Sequence, residues 1–188
     1  MSAPSTLAAT LVDPTVPRAH APAEAPGLAP ETTGSIALVD GMLHKASDWG
    51  RGILDACEQR LRTVAPGASF ERVDLDPIRP VPPELWAGDV GSRSAAAIIA
   101  AGDCITCTAR SVQSAIAMER IGVPTAIVTT PAVVSMVDAV CATFSAEAIR
   151  VLLISTSLFG RARSEIAAIA HPDLAGLAEA LLRTTGGR

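Results

Sequence analysis

The chain has 188 residues, about half of them apolar, and a net charge of -4 at pH 7. This length suits one domain with a sizeable core. The acidic balance argues against a nucleic-acid partner, because phosphate recognition needs clustered Lys and Arg. Aromatic residues are also scarce, with three Phe, two Trp and no Tyr, so stacking platforms for single strands are missing.

Neither a membrane span nor a signal peptide is predicted. No apolar run reaches the roughly eighteen residues that a membrane helix needs. The N-terminus lacks a basic region followed by an apolar core. We therefore expect a cytoplasmic protein with reduced thiols. Its composition is rich in Ala, Arg and Pro, and Lys45 is the only lysine, which favours a bacterial, GC-rich source.

The chain divides into an N-terminal arm and one domain. Residues 1–33 are rich in Ala, Pro and Thr without a sustained period, which predicts a flexible or surface-draped arm. Residues 34–188 alternate between strand-like and helix-like patterns and form a single α/β domain by this interpretation.

The predicted elements alternate in chain order. Short apolar runs bounded by turn residues indicate strands, and apolar residues at helical spacing indicate the helices between them. Pro66-Gly67 ends the first helix, Gly122 ends the third, and Pro131 suits the first turn of the fourth. The strands are predicted at 35–39, 70–75, 95–101, 125–129 and 151–155. The helices are predicted at 47–64, 84–92, 106–121, from 131 to 144, and at 164–182 with an interruption near His171-Pro172. The fourth helix is expected to carry Phe144 on its apolar stripe.

Five strands alternating with helices predict a three-layer α/β sandwich around a five-stranded parallel sheet. The flavodoxin-like or Rossmann-like order 2-1-3-4-5 is expected. Ligands of such sheets bind outside the carboxyl ends of the strands, where the strand order reverses. Strands one and three flank that point, so their polar loops, residues 40–45 and 103–110, are predicted to converge.

Cys104 and Cys107 form a CxxC pair between the third strand and the following helix. A helix N-terminus offers unpaired N–H groups and a partial positive charge, and both favour a thiolate. In such a position the pKa of a cysteine commonly falls from roughly 8.5 to between about 3.5 and 7.5. Cys104 is therefore the predicted nucleophile, with Cys107 placed to resolve a mixed disulfide.

Other interpretations of this pair stay open at the level of sequence. A metal site could use both thiols together with His44, and both cysteines could be purely structural. Cys57 and Cys141 differ, because each lies on the apolar stripe of its helix and is expected to fill the core.

His44 and Lys45 follow strand one on the same predicted edge as Cys104, where a general acid or base is useful. His44 is the predicted proton-transfer group, although a solvated loop explains it equally well. Asp40 either orients His44 or caps the turn. Hydroxyl, charged and N–H groups at this edge suit an anionic substrate. The predicted substrate-binding residues are Asp40, Lys45, Asp103, Thr106, Thr108, Arg110, Thr129 and Thr130.

The chain resembles a known family. The run Ala100-Ala101-Gly102-Asp103-Cys104-Ile105-Thr106-Cys107-Thr108, followed by Glu119-Arg120-Ile121-Gly122-Val123-Pro124-Thr125, is similar to the UGSC family, named for a selenocysteine-Gly-Ser-Cys motif. Leu11-Val12-Asp13-Pro14-Thr15 and the first strand extend the similarity. A looser resemblance is to the selenoprotein subunit of glycine and betaine reductases. The resemblance implies that position 104 is a chalcogen nucleophile or redox centre, and Ile105-Thr106 departs from the motif's Gly-Ser.

These features together predict a cysteine-dependent oxidoreductase or lyase, acting on a small carboxylate by redox or carbon–sulfur bond chemistry. Neither a G-x-G-x-x-G fingerprint nor a phosphate loop is present in the sequence, so no cofactor is expected. The alternative is a non-catalytic subunit that binds a metal or a partner. The size and the apolar surplus favour a homo-oligomer or a complex with a related subunit.

Overall fold

The computed structural model describes residues 34–42, 48–75, 82–146, 149–177 and 181. Strands and helices alternate along these residues, with short 3-10 turns at Pro131–Val133 and Leu174–Gly176. The strands are β1 (Ser35–Asp40), β2 (Ser69–Asp74), β3 (Ser94–Gly102), β4 (Thr125–Thr129) and β5 (Arg150–Leu153). The helices are α1 (Trp49–Val64), α2 (Pro83–Gly91), α3 (Ile105–Arg120), α4 (Val134–Thr143) and α5 (Arg163–Asp173).

The five strands form one parallel sheet in the order β2-β1-β3-β4-β5. The predicted fold class and strand order are thus confirmed. β1 and β3 are neighbours, and β1 ends at Asp40, in register with Ala100, two residues before the end of β3. The strand order reverses between these two strands, so the loop that follows Asp40 and the turn that follows Gly102 leave the same edge of the sheet.

Two separate apolar cores cover the faces of the sheet. The side chains of β3 alternate between them: Ala96, Ile98 and Ala100 face one core, whereas Ala97, Ile99 and Ala101 face the other. α1 and α5 close the first core, and α2, α3 and α4 close the second. The many alanines of β3 leave room for helices on both sides of this central strand.

The ends of β5 and α4 differ from the predictions. β5 ends at Leu153, so Ser155 lies beyond the strand. α5 ends at Asp173, at the predicted interruption near His171-Pro172, because Pro172 lacks the N–H that would continue the helical hydrogen bonds. Phe144 was expected on the buried stripe of α4 but is 37% exposed, since it lies at the C-cap where the helix has already ended.

The C-terminal end of α3 is anchored by a buried carboxylate. Glu119 Oε1 accepts a hydrogen bond of 2.7 Å from the backbone N–H of Thr125, at the start of β4, and forms an ion pair with Arg150 of β5. Gly122 follows with a φ of 84°, a left-handed conformation that glycine adopts readily. This end of α3 is therefore tied to two strands at once.

None of the helices formed by the described residues is long and apolar enough to cross a membrane.

An ion-pair group on the outer side of α1 links three elements. Asp55 accepts hydrogen bonds from Arg163 Nε of α5 at 2.6 Å and from Arg72 Nη2 of β2 at 3.0 Å. The hydrogen bond from Arg163 is the main reason why the pKa of Asp55 lies below its usual range. The ionised carboxylate is thus favoured in the folded state.

Replacing Asp55 with Asn should lower the free energy of unfolding by up to about 1 kcal/mol at pH 7. A depressed folded-state pKa stabilises the protein above the unfolded value of about 3.9, and this stabilisation is lost as the pH falls through the folded-state pKa. The difference between D55N and wild type should therefore shrink below about pH 4. Urea unfolding at pH 7 and pH 3.5 measures it, with D138N as the control. An equal deficit at both pH values would contradict this assignment.

Candidate active site

The site begins at a glycine turn at the end of β3. Gly102 has a φ of 56°, in the left-handed region that other residues enter at a cost. This conformation turns the chain out of the sheet within two residues, because Cys104 is already the N-cap of α3. The turn places the first N–H groups of α3 at the carboxyl edge of the sheet.

Cys104 occupies the position that Ser, Thr, Asp or Asn usually takes at a helix start. Its Sγ accepts a hydrogen bond of 3.2 Å from the backbone N–H of Cys107 and lies 3.4 Å from Thr106 Oγ1. A disulfide joins Cys104 to Cys107, with their Cα atoms 5.1 Å apart. Cys104 is half-buried and Cys107 is fully buried. The predicted closeness of the pair is confirmed, and the two sulfurs differ in access.

Asp103 connects this turn to two other loops. Its Oδ1 accepts a hydrogen bond from Thr130 Oγ1, directly after β4. Its Oδ2 accepts hydrogen bonds from Ser157 Oγ at 2.8 Å and from the Leu158 N–H at 2.7 Å, both beyond β5. Asp103 and Thr130 were predicted to bind substrate. That role stays a prediction, and in this structure the two side chains bind each other.

The remaining predicted residues on β4 and α3 take different positions. Thr129 is buried, and its hydroxyl donates to the carbonyl of Gly102 at 2.8 Å, which supports the turn. Thr106 is exposed and Arg110 half-buried. Thr108 is fully buried, and its hydroxyl has no hydrogen-bond partner among the described residues. The hydroxyl is closed off from solvent in this structure, so the predicted contact of Thr108 with a substrate stays a prediction.

Asp40 lies at the end of β1 on the same edge. It is buried, and its Oδ1 accepts a hydrogen bond of 3.0 Å from the Met42 N–H, which supports the turn-capping role. A Cβ at Gly50 would overlap Asp40 Oδ1, so glycine allows α1 to begin against this carboxylate. His44 and Lys45 lie outside the described residues, and their predicted roles remain predictions.

Two aromatic residues near the turn were not predicted. Trp49, at the start of α1, places Cε3 3.5 Å from where a Cβ on Gly102 would lie. Phe159 packs edge-on against Trp49, with ring centroids 6.0 Å apart, yet it is 81% exposed. The two residues are far apart in the sequence, so no local pattern predicts their contact. Only the folded chain brings them together.

An arginine-lined cavity of about 240 Å³ also escaped prediction. It lies beside β1 and β2, and Asp40 forms part of its wall. Its other charged walls come from α1, β2 and α5, so nothing local in the sequence marks it. The charged lining residues are Asp40, Arg51, Asp55, Arg72, Asp74 and Arg163.

The other two cysteines are confirmed as core residues. Cys57 and Cys141 are free and buried. Burial raises the pKa of the Cys57 thiol to about 12, so it stays protonated at neutral pH. Among the described residues no group of three His, Cys, Asp or Glu side chains could hold a metal ion. The alternative metal site would use His44, which lies outside the described residues.

The protein is thus an α/β protein with a parallel sheet and a cysteine pair at the start of the helix that follows the central strand. The chain belongs to the UGSC family, whose sequence model matches residues 10–183. The match confirms the resemblance and begins inside the segment predicted as an arm. Searches among curated proteins and among solved structures found no match.

Replacing Gly102 with Ala should cost about 1 kcal/mol of stability, because an L-residue at this φ is strained. Relaxing that strain would rotate the chain just before Cys104 and slow the alkylation of Cys104 in the reduced protein. Gly122 shares the positive φ at the far end of α3, with nothing within 4 Å of an added Cβ. G122A should therefore lose similar stability and keep normal alkylation, as measured by urea unfolding and peptide mass spectrometry. Equal alkylation rates in both variants would count against this role of Gly102.

Proposed function

We propose that this protein is a thiol-dependent enzyme in which Cys104 is the nucleophile and Cys107 the resolving thiol. One observation carries the proposal: the half-buried Cys104 Sγ accepts the Cys107 N–H at the start of α3, while Cys107, one helical turn on, is fully buried and bonded to it. Greater access and its position at a helix N-terminus thus favour Cys104 Sγ as the attacking sulfur.

The start of α3 supports a thiolate at Cys104. A sulfur that already accepts an N–H hydrogen bond gains more from it when negatively charged. The partial positive charge of the helix N-terminus adds to this effect. α3 is 16 residues long, so its dipole is well developed at Ile105. We expect the pKa of reduced Cys104 to lie below that of an ordinary thiol.

The proposed redox cycle uses both thiols. The Cys104 thiolate attacks an electrophilic sulfur of the substrate, a new S–S bond forms, and the substrate's other half leaves as a thiolate. The Cys107 thiolate then attacks Cys104 Sγ, which releases the second half as a thiolate and closes the disulfide. The substrate gains two electrons, and the enzyme loses them. A small thiol or a dithiol protein must reduce the Cys104–Cys107 bond before the next turnover.

Substrate recognition in this proposal uses the polar groups around the turn. The exposed Thr106 hydroxyl suits an oxygen atom of a small carboxylate, and Arg110 suits its charge. His44 would transfer protons, and Lys45 would add a second positive charge. A lyase acting on a carbon–sulfur bond would use the same thiolate as its nucleophile.

Selective alkylation tests the nucleophile. In the reduced protein at pH 6, iodoacetamide should modify Cys104 about tenfold faster than an unstructured peptide thiol, as one unit of lowered pKa implies. Cys57 and Cys141 should stay unmodified until the protein unfolds. C104S removes the fast site, whereas C57S keeps it. A Cys104 that reacts no faster than the peptide thiol would overturn the proposal, and so would stoichiometric zinc or iron lost in C104S.

A trapping experiment tests the resolving step. C107S lacks the thiol that displaces a bound group, so a substrate-derived adduct should accumulate on Cys104 in cell extract. Intact-mass measurement detects the adduct, and dithiothreitol should release it if the bond is a disulfide. C141S is the matched control, since it removes a thiol elsewhere and should trap nothing. Equal adducts in C107S and wild type would show that Cys107 does not resolve.

A further inference from the structure

Asp103 precedes the proposed nucleophile, yet its carboxylate faces two distant loops. Both oxygens accept hydrogen bonds, from Thr130, Ser157 and the Leu158 N–H, which lie 27, 54 and 55 residues further along the chain. We propose that Asp103 is a positioning residue: it fixes the β3–α3 turn so that Cys104 Sγ stays at the N-cap beside Cys107. The inference deepens the proposed function and rests on it for its biological meaning.

The turn needs such an anchor. β3 is held by its neighbours up to Gly102, and α3 is packed from Cys107 onward, but Gly102 itself allows a wide range of backbone angles. Only Asp103 and Cys104 lie between the strand and the helix. Asp103 joins this short link to the loops after β4 and β5, and Thr129 adds a hydrogen bond to the Gly102 carbonyl. Small shifts here would move Sγ relative to the Cys107 N–H.

Positioning and simple charge repulsion predict opposite results. A carboxylate near a thiol disfavours the thiolate, so removing only its charge would speed the reactions of Cys104. Loss of positioning would instead slow them, because the N–H hydrogen bond to Sγ is lost. D103N keeps the shape of the side chain but removes its charge and one acceptor oxygen. The direction of the change therefore separates the two roles.

Asp173 supplies a matched control. Its Oδ2 accepts hydrogen bonds from the Ser155 N–H at 2.7 Å and from Ser155 Oγ at 2.9 Å, in the same connection after β5. It thus anchors that segment through the same chemistry as Asp103 but has no hydrogen bond to the Cys104 turn among those described. D173N should loosen the segment without releasing the turn.

Two rates at pH 7 test the inference, the first in the reduced protein and the second in a mixed disulfide. The first is the alkylation of Cys104 by iodoacetamide. The second is ring closure, in which the Cys107 thiolate attacks Cys104 Sγ of a mixed disulfide with glutathione and expels glutathione thiolate. D103N should slow the alkylation of Cys104 by about five- to tenfold, where tenfold corresponds to one unit of thiolate pKa. Ring closure should slow by about the same factor, because Cys104 Sγ is no longer held beside Cys107. D173N should stay close to wild type, and circular dichroism checks that both variants fold.

The outcomes separate the two proposals. Wild-type or faster rates in D103N, or equal slowing in D173N, would overturn the positioning role. If wild-type Cys104 is alkylated slowly while D103N still slows ring closure, the result contradicts the proposed nucleophile but supports the positioning role. If D103N does not fold, S157A removes one donor from the exposed loop and should slow ring closure, whereas S157T, which keeps the hydroxyl, should restore it. Identical closure in S157A and wild type would then overturn the inference.

Discussion

The pairing of β3 with β1 on one side and β4 on the other determines where each loop of the site leaves the sheet. β3 is paired along both edges and covered on both faces, so its exit at Gly102 has little freedom of placement. Asp40 leaves β1 beside it, and Thr130 leaves β4 beside it. The cysteine pair therefore lies between two polar strand ends because of the parallel register. Changing the order of the strands would separate these groups even if each local motif survived.

The two sulfurs of the pair have unequal surroundings. Cys104 is half-buried at the turn after β3, whereas Cys107 is fully buried. An incoming thiol can therefore reach Cys104 more readily, and Cys107 is the natural leaving group when the disulfide opens. Cys57 and Cys141 have no such access, and the high pKa of Cys57 removes it from thiol chemistry near neutrality. The four cysteines thus fall into three groups: the half-buried Cys104, the buried Cys107 bonded to it, and the two free buried thiols.

The sequence predicted the sheet order, the helix start at Cys104 and the buried state of Cys57 and Cys141, since each depends on local periodicity and turn residues. It did not predict the partners of Asp103, because Thr130 and Ser157 are remote in the chain and hydrogen bonds across loops leave no periodic trace. The contact between Trp49 and Phe159 was not predicted for the same reason. The end of β5 was misplaced because a short apolar run does not mark where pairing stops.

Carboxylates hold α3 at both of its ends. Asp103 ties the residue before its N-cap to the β4 and β5 loops, and Glu119 ties its last turn to Thr125 and Arg150. These contacts oppose a slide or tilt of the helix when a bond forms or breaks at its first turn. We therefore expect rotation of the Cys104 side chain to take up most of the movement when the disulfide opens or closes, with little change in the backbone of α3. Chemistry at the pair would then leave the outer surface of α3 unchanged, and a partner bound there would not sense the redox state.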